Sequence, residues 1–266
     1  MSSGHNDDRA LLAEAIMWDY ELDWLPRGFD VVERDDLLMW SRRNGLRSEA
    51  RWNNRVSWIR TSEESAESVI NEVFAFFGDL PFTWVIGPSS APWDLRERVA
   101  RRGLIDTGDG DLLSAELPIM GLRSSPDVRI AEVADDRMAR IGIRLAHPEG
   151  TRDELDAMVE DRLAYLRHPG RRGGFLVAFV DGEPVANAGY RYSADGRTVY
   201  LNGAETVERF RGRGVYQSLV GYRVRRAAER GCRFAAIRAR RDTSLPILMK
   251  RGFVDHGHLP IYARVA

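Results

Sequence analysis

Thr198-Val199-Tyr200-Leu201, then Arg209-Phe210-Arg211-Gly212-Arg213-Gly214, then the run from Val215 to Gly231 make up the stretch that decides the fold. The first segment is β-branched and apolar, which suits a buried strand. The second holds two glycines separated by one residue. In the third, Val215, Leu219 and Tyr222 fall along one side of a helix, with Tyr216, Val220, Val224 and Ala227 beside them. Arg223, Arg225, Arg226 and Arg230 are expected to point away from that side. Gly231 stands where a C-terminal glycine ends a helix. The order is strand, glycine turn, helix.

That order suits an anion. The first N–H groups of a helix lack partners within it and carry a partial positive charge. Glycines just before the helix let the backbone close on a phosphate, because no Cβ intervenes. Arg209, Arg211 and Arg213 add positive charge. A dinucleotide loop would need a third glycine where Gln217 stands. A Walker loop would need Gly-Lys-Ser/Thr, which the chain lacks.

The chain has 266 residues, enough for one large domain or two small ones. Net charge is −1, so composition favours neither nucleic acid nor a membrane surface as partner. The N-terminus lacks a signal-peptide core and no apolar run reaches spanning length. The single cysteine, Cys232, cannot form an internal disulfide, which fits a reducing cytoplasm, and it reads as a core thiol. Lys250 is the only lysine. Arginine in place of lysine is read as the coding bias of a GC-rich bacterial genome. No set of His, Cys or carboxylate residues has metal-ligand spacing, so no metal is expected.

In chain order, residues 1 to 8 read as disordered and Asp8 to Tyr20 as a helix. Phe29 to Trp40 and Arg55 to Arg60 read as strands. Thr61-Ser62-Glu63-Glu64 starts a helix over Ala66 to Phe77. A strand over Phe82 to Ile86, a helix from Pro92 to Arg102 and a strand over Leu112 to Leu117 complete the first half. The seven tryptophans all lie at or before Trp93 and are assigned to core packing. Arg123-Ser124-Ser125-Pro126-Asp127 reads as a linker. Beyond it lie a strand (Val128 to Val133), helices (Asp135 to Leu145, Arg152 to Leu166) and two hairpins turning at Asp181-Gly182 and Asp195-Gly196. The strand Phe234 to Ala239, a short helix over Leu245 to Arg251 and a last strand over Leu259 to Val265 follow.

Arg102-Gly103-Leu104-Ile105-Asp106-Thr107-Gly108 echoes Arg251-Gly252-Phe253-Val254-Asp255-His256-Gly257. The same strand–helix unit therefore occurs twice. The first copy has Thr61 to Glu64 where the second has Arg209 to Gly214. Its carboxylates would repel phosphate.

The glycine turn in this setting resembles motif A of the GNAT acyltransferase superfamily, Arg/Gln-x-x-Gly-x-Gly/Ala between a strand and a helix. Asp242-Thr243-Ser244-Leu245-Pro246 and Leu248-Met249-Lys250-Arg251-Gly252-Phe253 are similar to that family's later motif. The first half resembles the degenerate N-terminal repeat of tandem GNAT proteins. The resemblance implies an α/β fold of two mixed sheets flanked by helices, divided at 1–122 (degenerate) and 127–266 (acyl-CoA-binding). It implies acetyl-CoA or coenzyme A as co-substrate. The backbone of Gly212, Arg213, Gly214, Val215 and Tyr216 would hold the pyrophosphate. Thr206 and Val207, with Glu205, would line the pantetheine arm, and Thr243 or Ser244 would lie near the cofactor. Glu205 is the candidate base. Many members carry an acid, Tyr, where this chain has Leu248; solvent, Tyr216 or Tyr262 are the substitutes. His147, His168, His256 and His258 read as loop residues.

The expected activity is acetyl transfer to an amine of a small molecule or peptide, in a cytoplasmic monomer or homodimer. The alternatives are an acyl-CoA sensor without turnover, an interaction protein, and aminoacyl transfer from tRNA, which the near-zero charge disfavours. The acceptor site is expected to draw on Arg152 to Gly174 and on the N-terminal half.

Overall fold

A computed structural model describes residues 3–23, 29–42, 54–122 and 124–264. Arg123 of the linker, Val265 of the last expected strand and Met1 and Ser2 of the N-terminal tail lie outside the described residues. In chain order the elements are α1 (Ser3–Asp23), β1 (Phe29–Glu33), β2 (Leu37–Arg42), β3 (Asn54–Ile59), α2 (Ala66–Phe77), β4 (Thr83–Val85), α3 (Leu95–Arg101) and β5 (Ile105–Asp106). Then come β6 (Gly110–Glu116), β7 (Val128–Glu132), α4 (Asp136–Ala146), α5 (Arg152–Arg167), β8 (Gly173–Val180), β9 (Glu183–Tyr192), β10 (Thr198–Tyr200) and β11 (Ala204–Thr206). The chain closes with α6 (Val215–Glu229), β12 (Phe234–Arg240), α7 (Ser244–Met249), β13 (Val254–His258) and β14 (Ile261–Ala263).

The described residues form two compact units. One draws on 1–14, 27–112 and 256–266, the other on 15–26 and 113–255. Among the described residues no helix is long and apolar enough to cross a membrane.

The first unit carries a six-stranded sheet, ordered β1-β2-β3-β4-β14-β5. Its core gathers Val69, Ile70, Val73 and Phe77, which recur on one face of α2, against Val56, Trp84 and Val99. Phe77 stacks on Phe82 with ring centroids 4.4 Å apart. Burying a ring of this kind contributes about 1.5–3 kcal/mol. The stretch Phe29 to Trp40 is a hairpin and not a single strand: β1 pairs antiparallel with β2, and Arg34 and Leu37 bond backbone to backbone across the turn. No glycine announces that turn. Helix α1 begins at Ser3, within the tail expected to be disordered. Trp40, Trp58 and Trp84 are buried here, but Trp93 is 82% exposed.

The second sheet runs β13-β6-β12-β10-β9-β8-β7, with β11 attached to β9. Alternate residues of β8 face opposite layers. Leu176, Ala178 and Val180 meet Val215 and Leu219 of α6. Val177 and Phe179 meet Ala139 and Ile143 of α4 and Leu155 and Val159 of α5. Helices thus cover both faces, which is why β8 reads as a continuous apolar run. Cys232 is buried in the core with Val224, Ala227 and Ile237. His256 and His258 lie in β13, not in a loop, and His258 Nε2 sits 2.7 Å from Asp106 Oδ2.

Each sheet takes a strand from the other half of the chain. The C-terminal strand β14 pairs with β4 and β5. Strand β6, from before the linker, lies between β12 and β13.

Candidate active site

The site begins where two parallel strands part. Thr198 to Tyr200 pair with Phe234 to Ala236, and Leu201 N–H still donates to Ala236 O at 2.9 Å. Then the strand bends. Gly189 N–H takes both Asn202 O (2.9 Å) and Gly203 O (3.1 Å), two residues opposite one, as in a β-bulge. Gly203 has φ 40°. After the bend β11 pairs with β9, Glu205 opposite Asn187, and leaves the edge of β12.

A buried cation holds the bend. Arg223 of α6 is 2% exposed. Its Nη1 donates to Gly189 O at 2.9 Å and to Asn202 O at 3.4 Å, and its Nε to Leu219 O at 3.1 Å. Burial holds its pKa down to about 10, with Tyr216 acting the other way. The expectation that Arg223 points away from the core is therefore corrected. A helical pattern assigns arginine to solvent, whereas here the carbonyl groups at the bulge receive it.

The glycine turn follows at once. Val207 N–H bonds Val185 O, and a short 3₁₀ turn over Glu208–Phe210 leads into Gly212 and Gly214, at φ 78° and 77°. Both values belong to the left-handed region that favours glycine. Gly214 caps α6 with no side-chain bond, so the first N–H groups of α6 face outward from the turn. Ser218 Oγ, which donates to Gly214 O, accepts Ser125 N–H at 2.9 Å and ties the linker to this first helical turn. The expected arginines are engaged locally. Arg209 bonds Glu183, Arg213 Nη2 lies 3.7 Å from Asp181 Oδ2, and Arg211 Nε reaches Thr206 O at 3.4 Å.

The later motif is brought to the same place in part. Ser244 Oγ accepts Arg240 N–H at 2.9 Å and lies near the Tyr216 hydroxyl, whose pKa it acts to lower. Thr243 is exposed at the start of α7. Burial pushes the Tyr216 hydroxyl up, so it keeps its proton. Leu248 is fully buried in the core with Ile237 and Phe253. Tyr262 belongs to β14 in the first unit.

Glu205 is exposed on β11. His147, set aside in the sequence as a loop residue, caps the C-terminal end of α4 and is half-buried. Burial lowers its pKa, and the nearby Glu205 charge acts to raise it. Only the fold brings the two together; their spacing in the sequence carries no signal.

The first unit treats the corresponding parallel strands differently. There Arg60 bridges Ala91 in parallel, Ala91 N–H bonds Ile59 O (3.0 Å) and Thr61 N–H bonds Ala91 O (3.4 Å). The segment after β4 thus closes on the end of β3. Glu14 Oε2 accepts Ser89 N–H at 2.7 Å, and a Cβ on Gly87 would strike Glu14 Oε1 at 2.1 Å.

Residues 142–253 match the model of the acetyltransferase (GNAT) family. Solved structures extend the likeness to nearly the whole chain. A GCN5-related N-acetyltransferase from Kribbella flavida has TM-score 0.68 and 18% identity, covering 97% of this chain and 95% of that one. A tandem GNAT protein from the clavulanic acid biosynthesis pathway has TM-score 0.64 and 12% identity over 99% and 95%. A conserved protein of unknown function from Staphylococcus epidermidis has TM-score 0.62 and 16% identity over 91% and 95%. Identities this low speak for the fold alone, and the fold is the expected one: α/β, two mixed sheets flanked by helices, in the tandem GNAT arrangement. Comparison with curated proteins gives no match.

Proposed function

We propose that this protein is an N-acyltransferase that moves an acetyl group from acetyl-CoA to the amine of a small molecule or peptide. The observation that carries the reading is the departure of β11 from β12 directly before the Gly212–Gly214 turn. The residues fit the co-substrate. A pantetheine arm can pair with the backbone edge that β11 no longer shares, and positive φ at both glycines leaves the turn free of side chains where a pyrophosphate would meet N–H groups. In this reading residues 127–266 bind acyl-CoA. Thr206 and Val207 line the arm, the backbone of Gly212 to Tyr216 holds the pyrophosphate, and Ser244, with Thr243 beside it, borders it. Arg209, Arg211 and Arg213 supply background charge. Residues 1–122 are the degenerate copy, consistent with its closed β3 end and its Thr61 to Glu64 turn.

Acetyl-CoA supplies an activated thioester; its C–S bond breaks as a C–N bond to the acceptor forms. The acceptor nitrogen must shed a proton; in this reading Glu205 takes it, with His147 beside it. A backbone N–H on β11 steadies charge on the thioester oxygen. The departing thiolate needs a proton, and Tyr216 holds one.

The test is thermal stability with and without acetyl-CoA, for the parent and Gly212→Asp. Occupancy at about a hundred times the dissociation constant stabilises a fold by roughly 2.7 kcal/mol. A shift in the parent alone, followed by amine-dependent thiol release, supports the reading. A shift without thiol release from any amine would favour an acyl-CoA sensor, and no shift would overturn the acyl-CoA site.

A further inference from the structure

On the sheet face turned to α4 and α5, one cross-strand row runs Val177, Asn187, Glu205 through β8, β9 and β11. Asn187 is 7% exposed, and its Nδ2 is buried with no hydrogen-bond partner among the described residues. A buried amide donor without an acceptor is uncommon in native folds.

The charges on this face do not balance. The buried Asp23 carboxylate serves two arginines, Arg172 Nε at 2.6 Å and Arg191 Nε at 3.4 Å, and also accepts the Tyr165 hydroxyl. A third arginine, Arg162, lies over the Phe175 ring at 4.2 Å, the ring that Arg191 overlies at 4.6 Å. Gly142 makes room for it: a Cβ there would stand 2.6 Å from Arg162 Nη1 and 3.6 Å from Val177 Cγ2. Among the described residues no carboxylate pairs with Arg162. Burial, then the Arg191 charge, holds its pKa down to about 10. His147 lies within electrostatic reach of both Glu205 and Arg162. Among the described residues, a guanidinium without a paired carboxylate, an amide donor without an acceptor and the exposed Glu205 carboxylate thus share one face.

We infer that Arg162 receives the carboxylate of the acceptor, with Asn187 Nδ2 as a second donor, so that the acceptors are free amino acids whose amine is directed to Glu205. A planar guanidinium matches a carboxylate with two parallel hydrogen bonds. A simple amine would leave Arg162 unpaired. The inference rests on the acetyltransferase reading, but the carboxylate site can be probed without acetyl-CoA.

The experiment compares the common L-amino acids with their decarboxylated amines, for example L-phenylalanine with 2-phenylethylamine and L-leucine with isopentylamine. Thermal shift is read without acetyl-CoA, and kcat/KM by thiol release with it. At least one amino acid should stabilise the parent where its amine does not, and exceed that amine at least tenfold in kcat/KM. Arg162→Gln should cut that ratio to about twofold by raising the amino acid's KM, and Arg162→Lys should fall between. Equal kcat/KM for every pair in the parent, or a ratio that survives in Arg162→Gln, would overturn the inference and leave the acetyltransferase reading intact. Amino-acid shifts that Arg162→Gln removes, in a protein that ignores acetyl-CoA, would instead uphold the carboxylate site and sink the acetyl-CoA reading. If Arg162→Gln fails to fold, the parent's own ratio and the Arg162→Lys variant decide.

Discussion

The guanidinium of Arg223 stands 2.9 Å from the carbonyl oxygen of Gly189, at the bend where β10 gives way to β11. The contact joins helix α6, which the glycine turn begins, to the strand whose departure opens the site. Arg223→Met fills similar space but leaves Gly189 O and Asn202 O without that donor. Stability should fall by about 1–3 kcal/mol, read from urea unfolding, and the acetyl-CoA dissociation constant should rise. A variant as stable as the parent, with unchanged affinity, would show that the bulge holds itself.

Gly189 tests the same bend from the other side. A Cβ there would lie 2.6 Å from Asn202 Oδ1. Gly189→Ala should therefore displace Asn202, whose Nδ2 donates to the Tyr20 hydroxyl at 3.0 Å, and cost about 1–3 kcal/mol, as overpacking does. Urea midpoints equal to the parent's would mean that Asn202 moves freely.

Tyr216 and Leu248 should separate chemistry from packing. Tyr216→Phe removes the proton donor, so kcat should fall by at least tenfold with little change in acetyl-CoA affinity. Leu248→Ala should instead cost about 2–5 kcal/mol of stability and leave kcat per folded molecule near the parent's. The reverse pattern in stopped-flow and unfolding data would return the acid role to the α7 region.

His147 makes stability depend on pH. Burial holds its imidazole below the usual value, Arg162 reinforces that, and Glu205 and Glu154 oppose it. The unfolded side chain titrates at about 6.5. Between the folded pKa and about 6.5 the unfolded chain binds more protons, so stability is lost as pH falls through that window and is level above it. His147→Gln should flatten the acid limb of a urea-midpoint series between pH about 5 and 8. Parallel curves for parent and variant would assign the acid limb to other groups.

The sequence was most legible where structure is local. The spacing of Val69, Ile70, Val73 and Phe77 is that of α2, and the glycines at 212 and 214 hold the positive φ that an anion turn requires. Asp181-Gly182 and Asp195-Gly196 both take positive φ at their glycines, as hairpin turns should. What stayed hidden depends on partners remote in the chain. Val254-Asp255-His256-Gly257-His258 has no apolar run, yet becomes β13 because β6 lies beside it. The turn at Asp35-Asp36 offered no glycine. Arg223 read as pointing away from the apolar side and nothing in the sequence singled out Arg162, since no linear pattern shows that a bulge or an aromatic ring awaits an arginine. His147 and Glu205 meet only after α4 and β11 settle on one sheet face.

The exchange of β6 and β14 bears on how such a gene can be divided. A start codon placed at the linker would give a polypeptide without the strand that separates β12 from β13. Its complement would lack the strand that separates β4 from β5. Neither fragment could complete its own sheet, so the two would have to be made together and trade strands to recover the fold.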